Sequence, residues 1–458
     1  MNKYKTIIGL EIHVELGTKS KMFCQCDADF FDKEPNTNTC PVCLGLPGAL
    51  PVPNKQAVEW TILIGKALNC TINQNSKFDR KHYFYPDLPK GYQISQYDEP
   101  VAVQGRLQLK VKNEKLKTHE KTFRIRRVHL EEDTGKLIHK EKETLVDFNR
   151  SGVPLVEIVT EPDFSNSDEV KMFLQELHTI IRYLGVSDAD MEKGSMRLEP
   201  NISLKLISNS KAQISNNDEL PSYKVEVKNI NSFNFAKRAI DYEIKRQAEL
   251  LDKGETPLQE TRGFDENKMK TFSQRSKEEA HDYRYFPEPD IPPMKFEQKF
   301  LDELKVPELP AGKVKKYVTE LGIKESDAFI LTRDKKLAEY FEQVSAKCKV
   351  QSAKLQFKTK NVNQDISNAI VNKRISTTLS ADEFIEQLTH QSRVHTVDDI
   401  EMDSLISAVL KDNKDAVDSF KAGKENAVMF LVGQVMKEMK GKADPQAVKK
   451  ILLEKLTS

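Results

Sequence analysis

A strict alternation of apolar and polar residues near the start of the chain limits how that segment can fold. In residues 8–16, apolar side chains occupy every second position and polar ones lie between them at Glu11, His13 and Glu15. Successive side chains of a β-strand point to opposite faces, so this period of two predicts a strand with one apolar and one charged face. The same alternation recurs in residues 197–204 and 223–228, and residues 128–133 end in three acids.

A proline-rich run at residues 287–293 divides the chain into two parts of different character. Proline fixes φ and donates no backbone hydrogen bond, so such a run continues neither a helix nor a strand. Before it, alternation and turn residues dominate; after it, apolar residues recur at helical spacing in a Lys- and Glu-rich background. We predict an α+β fold with a mixed α/β domain and mainly antiparallel sheet at 1–293, an all-helical domain at 294–395 and a small helical tail domain at 396–458.

Two amphipathic helices are predicted inside the first domain. One has apolar residues at helical spacing between Val170 and Leu184, with Ser167 as its N-cap and Gly185 as its C-cap. The other starts at Ser232 and runs to Gly254. Both are expected to cover a sheet.

The charge and composition of the 458 residues exclude several classes of protein. The 71 Lys and Arg nearly balance the 70 Asp and Glu, which excludes a uniformly polybasic binder or an acidic tail protein. No apolar run approaches the roughly 20 residues of a membrane span, and no signal-peptide pattern precedes the first strand. We therefore expect a cytoplasmic protein without a membrane partner.

Four of the six cysteines lie within twenty residues, as a C-x-C pair followed by a C-x-x-C pair at Cys24, Cys26, Cys40 and Cys43. Four thiolates in two such knuckles suit tetrahedral Zn²⁺. Free or redox-active thiols are the alternative. Cys70 and Cys348 are isolated and are predicted to be small packing residues.

The charged faces of the strands have two interpretations. They are either the solvated side of a half-buried sheet or, if the strands adjoin, an oxygen-rich site for a hard cation such as Mg²⁺. Mg²⁺ in a cleft suggests phosphoryl transfer. The chain has no G-x-x-x-x-G-K-[ST] motif, so a nucleotide would need another architecture than the P-loop.

Two further segments carry cations. Residues 77–96 combine Arg80, Lys81 and Lys90 with five aromatic residues, which suits either base stacking and phosphate binding or a well-packed surface loop. Residues 105–127 contain nine Lys or Arg against two Glu and predict a basic hairpin with a turn near Asn113. This hairpin is either a phosphate-tracking surface or a solvated edge protected by lysine.

Several long strings, in one order along the chain, resemble a known family. They are GLEIHVEL at 9–16, PNTNTCPVCLGLPGALP at 35–51, KFDRKHYFYP at 77–86, LVDFNRSGVPLVE at 145–157, VKNINSF at 227–233 and DYRYFPEPDI at 282–291. FLVGQVM at 430–436 and GKADP at 441–445 extend the likeness to the tail. The sequence is similar to the B subunits of aspartyl/glutamyl-tRNA amidotransferases.

This resemblance implies an activity and partners. The family uses ATP and Mg²⁺ to phosphorylate the side-chain carboxyl of misacylated Glu-tRNA(Gln) or Asp-tRNA(Asn), and ammonia then displaces the phosphate. It is a ligase that forms carbon–nitrogen bonds with glutamine as amide donor. A glutaminase of the amidase type, the A subunit, releases the ammonia, and a small C subunit makes up the heterotrimer. The family's fold is an N-terminal cradle followed by a helical domain and a tail that contact the tRNA. A non-catalytic, zinc-containing tRNA-binding adaptor is the alternative.

The resemblance also assigns residues. It implies catalytic roles for Lys81, Tyr83, Glu11 and Glu132, and a Mg²⁺ site formed by Glu11, His13, Glu132, Glu199 and Glu226. Positions near the tRNA acceptor end are Arg80, Asn149, Arg150 and Ser151. Two positions depart from the family pattern: His82 replaces an expected Asn, and Glu199 stands in RLEPN where RCDxN is more common.

Overall fold

The computed structural model describes residues 3–112, 118–207, 220–276, 283–351, 361–394, 399–421, 426–439 and 445–457. The chain forms two compact units, Met1–Leu309 and Pro310–Ser458. The turn predicted near Asn113, residue Asp282 and the glycine at 441 lie outside the described residues.

The first unit is built on β-strands. In chain order these are β1 (Tyr4–Glu15), β2 (Thr71–Ile72), β3 (Asn75–Ser76), β4 (Asp79–His82), β5 (Tyr92–Ser95), β6 (Ala102–Lys112), β7 (Thr118–Glu132), β8 (Lys136–His139), β9 (Thr144–Asp147), β10 (Pro154–Thr160), β11 (Met196–Leu206), β12 (Val225–Lys228), β13 (Glu260–Asp265), β14 (Lys270–Ser276), β15 (Arg284–Pro287) and β16 (Met294–Lys295). Its helices are α1 (Lys55–Ala67), α2 (Ser167–Leu184), α3 (Phe233–Asp252) and α4 (Gln298–Glu303).

The main sheet has the strand order β14-β13-β12-β11-β1-β10-β7-β6-β2. All of its pairs are antiparallel except β12 with β13, which confirms the predicted fold class. Strand β1 lies near the middle, where Ile8, Leu10 and Ile12 are at most 1% exposed. These side chains join one core with the apolar faces of α1, α2 and α3. The opposite face of the sheet remains polar.

The caps of the two predicted helices are largely as expected. Gly185 ends α2 with a left-handed φ of 70°, and Ser232 caps α3 by accepting a hydrogen bond from the Phe235 amide. The N-cap of α2 is Asn166, which accepts from the Glu169 amide, so the assignment to Ser167 was wrong by one residue. Asn is an equally good cap, and sequence preference does not separate the two.

The second unit is helical, with α5 (Pro310–Leu321), α6 (Glu325–Leu331), α7 (Lys335–Gln351), α8 (Val362–Val371), α9 (Ala381–Val394), α10 (Asp399–Asp412), α11 (Lys414–Lys421), α12 (Ala427–Glu438) and α13 (Pro445–Thr457). Helices α5 to α9 share one apolar core and α10 to α13 another. Domain boundaries at 293 and 395 stay predictions. Among the described residues, no helix is long and apolar enough to cross a membrane.

We predict that Gly105→Ala destabilises the first unit. A Cβ added at Gly105 in β6 would lie 2.3 Å from the Cys70 sulfur and 2.9 Å from the Leu68 carbonyl oxygen, which accepts from the adjacent Arg106 amide. Overpacking of this kind costs about 1–3 kcal/mol. Urea denaturation of the full chain measures the change. The control is Gly433→Ala in α12, where a Cβ meets nothing within 4 Å and alanine favours the helix; equal stability of the two variants would contradict the prediction.

Candidate functional site

A cleft of about 1200 Å³ lies over the polar face of the main sheet. Antiparallel register sets its floor, because Glu11 pairs with Glu199 and His13 with both Arg197 and Glu157. Alternation then places side chains from five neighbouring strands on the same face. The charged residues among them are Glu11, His13, Glu131, Glu157, Arg197, Glu199, Glu226 and Lys228.

The first group of acids in the cleft is Glu11, Glu199 and Glu226, whose oxygens lie within 4.8 Å of one another. Burial and neighbouring carboxylates raise the pKa of Glu11, and they raise the pKa of Glu226 to about 7. Burial acts in the same direction on Glu199, but Lys228, whose Nζ lies 2.9 Å away, lowers the pKa of that carboxyl. The raised pKa values of Glu11 and Glu226 thus reflect burial together with mutual repulsion among the carboxylates.

This group fits a hard cation. Asn201 donates from Nδ2 to Glu11 at 3.0 Å, and its carbonyl Oδ1 is buried without a hydrogen-bond partner among the described residues. Carboxylate and amide oxygens are the ligands that Mg²⁺ takes in proteins. A cation there would give the unpartnered oxygen a partner and would reduce the mutual repulsion of the carboxylates.

A second group lies beside it and consists of His13, Glu131 and Glu157. The His13 Nε2 is 3.6 Å from an oxygen of each acid, and the His129 Nε2 is 3.2 Å from Glu157. Although burial opposes it, the bond to Glu157 and the surrounding carboxylates raise the pKa of His13 to about 9. The raised pKa favours the protonated ring, and His13 would have to lose that proton to bind a metal.

Lys81 and Tyr83 line the same cleft. Burial alone would lower the pKa of Lys81, but Glu131 and Glu157 raise it above its ordinary value. The Lys81 ammonium also lies 4.7 Å from the centre of the Tyr283 ring, against which Tyr83 packs edge-on. Burial raises the pKa of Tyr83, so it stays a neutral phenol. The cleft therefore offers a fixed cation next to its acids.

Glu132 does not lie in the cleft. It accepts from the Lys90 Nζ at 2.7 Å and from the Ile94 amide at 2.9 Å, and it lines a separate cavity of about 120 Å³ beside Cys24 and Cys43. Neighbouring residues of a strand face opposite ways, so Glu131 lines the cleft where the resemblance implied Glu132. Of the five predicted Mg²⁺ ligands, the structure brings Glu11, His13, Glu199 and Glu226 together.

The four residues expected near the tRNA acceptor end are absent from the described lining of the cleft. Arg80 forms a two-pronged ion pair with Glu288 at 2.7 and 2.8 Å, and Arg150 donates to the carbonyls of Thr134 and Gly135. Asn149 and Ser151 are buried, and both hold the loop that carries the C-x-x-C pair, through the contacts Asn38 N to Asn149 and Ser151 Oγ to Cys43 O. Contact of these residues with tRNA stays a prediction.

Four acids among the described residues that line the cleft were not predicted as site residues: Glu131, Asp133, Glu157 and Glu260. Glu157 lies in a strand with apolar neighbours on both sides, so alternation was masked. Glu131 stands in a run of three acids, and the run itself does not show which of their side chains face the cleft. His129 lies two residues before Glu131 and therefore on the same face of the strand. This polar side chain was the sequence signal that Glu131, and not Glu132, faces the cleft.

The four clustered cysteines converge on one another outside the described lining of the cleft. Their sulfur atoms all lie within 4.8 Å of one another, and the Cys40 amide donates to the Cys43 sulfur at 3.1 Å. A hydrogen bond from Cys24 lowers the pKa of Cys43 to about 5, and the nearby Lys21 acts in the same direction. This arrangement fits a closed tetrahedral metal site of the kind that Zn²⁺ occupies.

The first unit is thus an α+β domain with an acid-rich cleft over the polar face of a mainly antiparallel sheet and a cluster of four thiols outside the described lining of that cleft. Residues 6–302 match the family described as GatB/GatE catalytic domain, and residues 329–456 match the GatB domain. The chain therefore belongs to the GatB family, whose members are subunits of tRNA-dependent amidotransferases.

Relatives match over nearly the whole length of both chains. The B subunit of the aspartyl/glutamyl-tRNA(Asn/Gln) amidotransferase of Persephonella marina is 44% identical over 489 residues, covering 99% of this chain and 100% of the relative. The proteins of the same name from Caldicellulosiruptor saccharolyticus and Thermotoga maritima are 43% and 42% identical, with 99% and 98% of this chain covered, and equal shares of theirs.

The raised pKa of Glu226 predicts a pH-dependent stability. Since its pKa is about 7 in the fold and 4.5 ordinarily, the folded chain holds a proton that the unfolded chain releases, and the free energy of unfolding falls as pH rises through this interval. In the wild type, we expect the free energy of unfolding to fall by about 1–3 kcal/mol between about pH 5 and about pH 8, measured by urea denaturation without divalent cations. Glu226→Gln should remove this decrease. Glu249→Gln, on the exposed face of α3, should leave the loss intact.

The thiol cluster predicts bound zinc. Cys43→Ser should reduce the zinc content of the purified chain from about one ion to nearly none, because a closed site needs all four sulfur ligands. Elemental analysis by mass spectrometry measures the content. Cys70→Ser is the matched control, since Cys70 lies outside the cluster. Wild-type protein without zinc after metal-replete expression would contradict this prediction.

Proposed function

We propose that this chain is the subunit of a tRNA-dependent amidotransferase that activates and amidates the misacylated tRNA. Its substrates are Glu-tRNA(Gln) or Asp-tRNA(Asn) and ATP. The observation that carries the proposal is the cleft, where a half-buried group of three acids and a second group of His13 with two buried acids share the lining with Lys81 and Lys228. An acidic cleft repels phosphate unless cations are present.

The reaction needs activation because a carboxylate is a poor acceptor for ammonia. Transfer of the ATP γ-phosphoryl group to the side-chain carboxyl releases ADP and gives an acyl phosphate. Ammonia then attacks the carbonyl carbon, and the C–O bond to phosphate breaks, which releases phosphate and a proton and leaves the amide. Mg²⁺, when bound, neutralises charge on the phosphoryl oxygens. Glu11, Glu199 and Glu226 would hold it, and the group of His13, Glu131 and Glu157 is the second candidate.

Other residues of the cleft orient the carboxylates or neutralise charge on the phosphoryl group. Lys81 is a fixed ammonium between the second acid group and Tyr283, and it is suited to an oxygen of the phosphoryl group. Lys228 holds Glu199 in place and Thr261 donates to Glu226 at 2.8 Å, which orients the carboxylates of the first group. Tyr83 offers a neutral hydroxyl donor at the same wall of the cleft.

Ammonia in this scheme comes from another chain. The clustered thiols of this chain are placed for metal binding, which leaves glutamine hydrolysis to the amidase-type A subunit, with the small C subunit making up the heterotrimer. The relatives are named as B subunits, which supports such an assembly. We place the complex in the cytoplasm, where its aminoacyl-tRNA substrates are made.

A pair of neighbouring variants tests the site. We expect Glu131→Gln to lower the ATP- and Mg²⁺-dependent phosphorylation of Glu-tRNA(Gln) by about 10- to 100-fold, because it removes a charge from the cleft. Glu132→Gln should retain most of the activity, since its side chain pairs with Lys90 outside the cleft. The assay uses the complete heterotrimer and radiolabelled γ-phosphate.

Glu11→Gln provides a second comparison and addresses the alternative function. We expect loss of phosphorylation with tRNA affinity largely unchanged, as measured by filter binding, because the lost charge faces the cation group and not the RNA. Wild-type phosphorylation in this variant would overturn the metal assignment. If the wild-type complex binds tRNA but forms no phosphorylated intermediate, the chain is a tRNA-binding adaptor.

A further inference from the structure

Lys21 is completely buried next to the four-thiol cluster, with 0% of its surface exposed. Its ammonium nitrogen donates to the Asn38 carbonyl oxygen at 2.9 Å and lies 3.8 Å from the Cys43 sulfur. Lysine is almost never fully buried without a counter-charge, because removing an ammonium from water is costly. One carbonyl dipole does not supply that charge, whereas ionised sulfur does.

The backbone fixes where this ammonium lies. The Lys21 amide donates to the Cys26 carbonyl at 2.9 Å, so the residue belongs to the first knuckle, and the next amide, that of Met22, donates to Gly152 at 2.7 Å. Gly152 has a φ of 85°, and a Cβ there would lie 3.4 Å from the Cys43 Cβ and 3.6 Å from the Lys21 Cδ. The loop at Gly152 therefore closes over both side chains.

The charges are most complementary when the site is loaded. Four thiolates around Zn²⁺ carry a net charge of −2, so an adjacent ammonium reduces it to −1. Hydrogen bonds to metal-bound groups orient the ligands and typically change metal affinity by about 10- to 100-fold. Without metal, the cluster lacks the net charge of −2, and the Cys43 sulfur also accepts from the Cys40 amide, so the burial of the ammonium is less fully compensated.

We propose that Lys21 is a positioning residue for zinc, which stabilises the zinc–thiolate group by donating to the Cys43 sulfur and by offsetting its negative charge. The role is independent of the chemistry in the cleft. The proposal requires that the cluster binds zinc. The experiment distinguishes a failure of zinc binding from a failure of the role of Lys21.

The test compares zinc release from the purified full chain and three variants. Lys21→Met keeps the apolar stem and removes the charge, Lys21→Arg keeps a cation, and Lys19→Met is the control at an exposed lysine two residues away. Release into excess chelator is followed with a colorimetric zinc indicator. We expect release from Lys21→Met to be about 10- to 100-fold faster than from wild type, with Lys19→Met unchanged and Lys21→Arg slower than Lys21→Met.

Stability in the two metal states distinguishes this role from ordinary packing. Lys21→Met should lower the thermal unfolding midpoint of the zinc-loaded chain more than that of the zinc-free chain, because the ammonium has its full counter-charge only in the loaded site. A packing role predicts equal decreases in both states. In the Co²⁺-substituted protein, loss of the N–H···S contact should move the sulfur-to-metal charge-transfer band to lower energy.

Release rates of Lys21→Met equal to wild type, with an unmoved charge-transfer band, would overturn the proposal while leaving the zinc assignment intact. A wild-type chain that binds neither zinc nor cobalt would overturn the assignment itself. Should Lys21→Met fail to fold, Lys21→Gln takes its place. It retains a hydrogen-bond donor without the charge, and release no faster than from Lys21→Arg would then count against the proposal.

Discussion

The register between β1 and β11 is the constraint on which the cleft depends, because it sets Glu11 directly opposite Glu199. Like charges facing each other across an antiparallel pair destabilise a sheet. The arrangement persists because the other face of β1 is among the most deeply buried parts of the core, and a shift by one residue would expose that whole apolar row. The core thus enforces a crowding of carboxylates that the local charges oppose, and Lys228 relieves only part of it.

The pairing of strands also limits what the sequence could predict. Period-two alternation is local, so it identified the polar faces of β1, β11 and β12 and the fold class from the sequence alone. Which strand lies beside which is a non-local property, and the antiparallel partners of β1 were not predictable. Glu157 is the clearest case, since it has apolar neighbours along its own strand and becomes a site residue only through its pairing with His13.

At individual residues, the role that the resemblance implies also differs from the position that the structure shows. Motif matching selected Lys81 and Tyr83, which line the cleft, but it did not sort residues by the face of the strand that they occupy. Arg80, adjacent to Lys81, points to the other side of its strand and pairs with Glu288. Glu131 and Glu132 divide in the same way. A motif records which residues occur together, whereas the pleat of the strand decides which of them share a face.

The division at Glu131 and Glu132 links the two sites of the first unit. Glu131 faces the cleft, while Glu132 faces Lys90 and the cavity bordered by Cys24 and Cys43. A Cβ at Gly152 would touch Cys43, Lys21 and Glu132 together, so the knuckle packs directly against the end of β7 and the loop before β10. Strands β7 and β10, which pair with each other, carry Glu131 and Glu157. The two sites therefore share the end of β7 and the loop before β10, although none of the four cysteines is among the described residues that line the cleft.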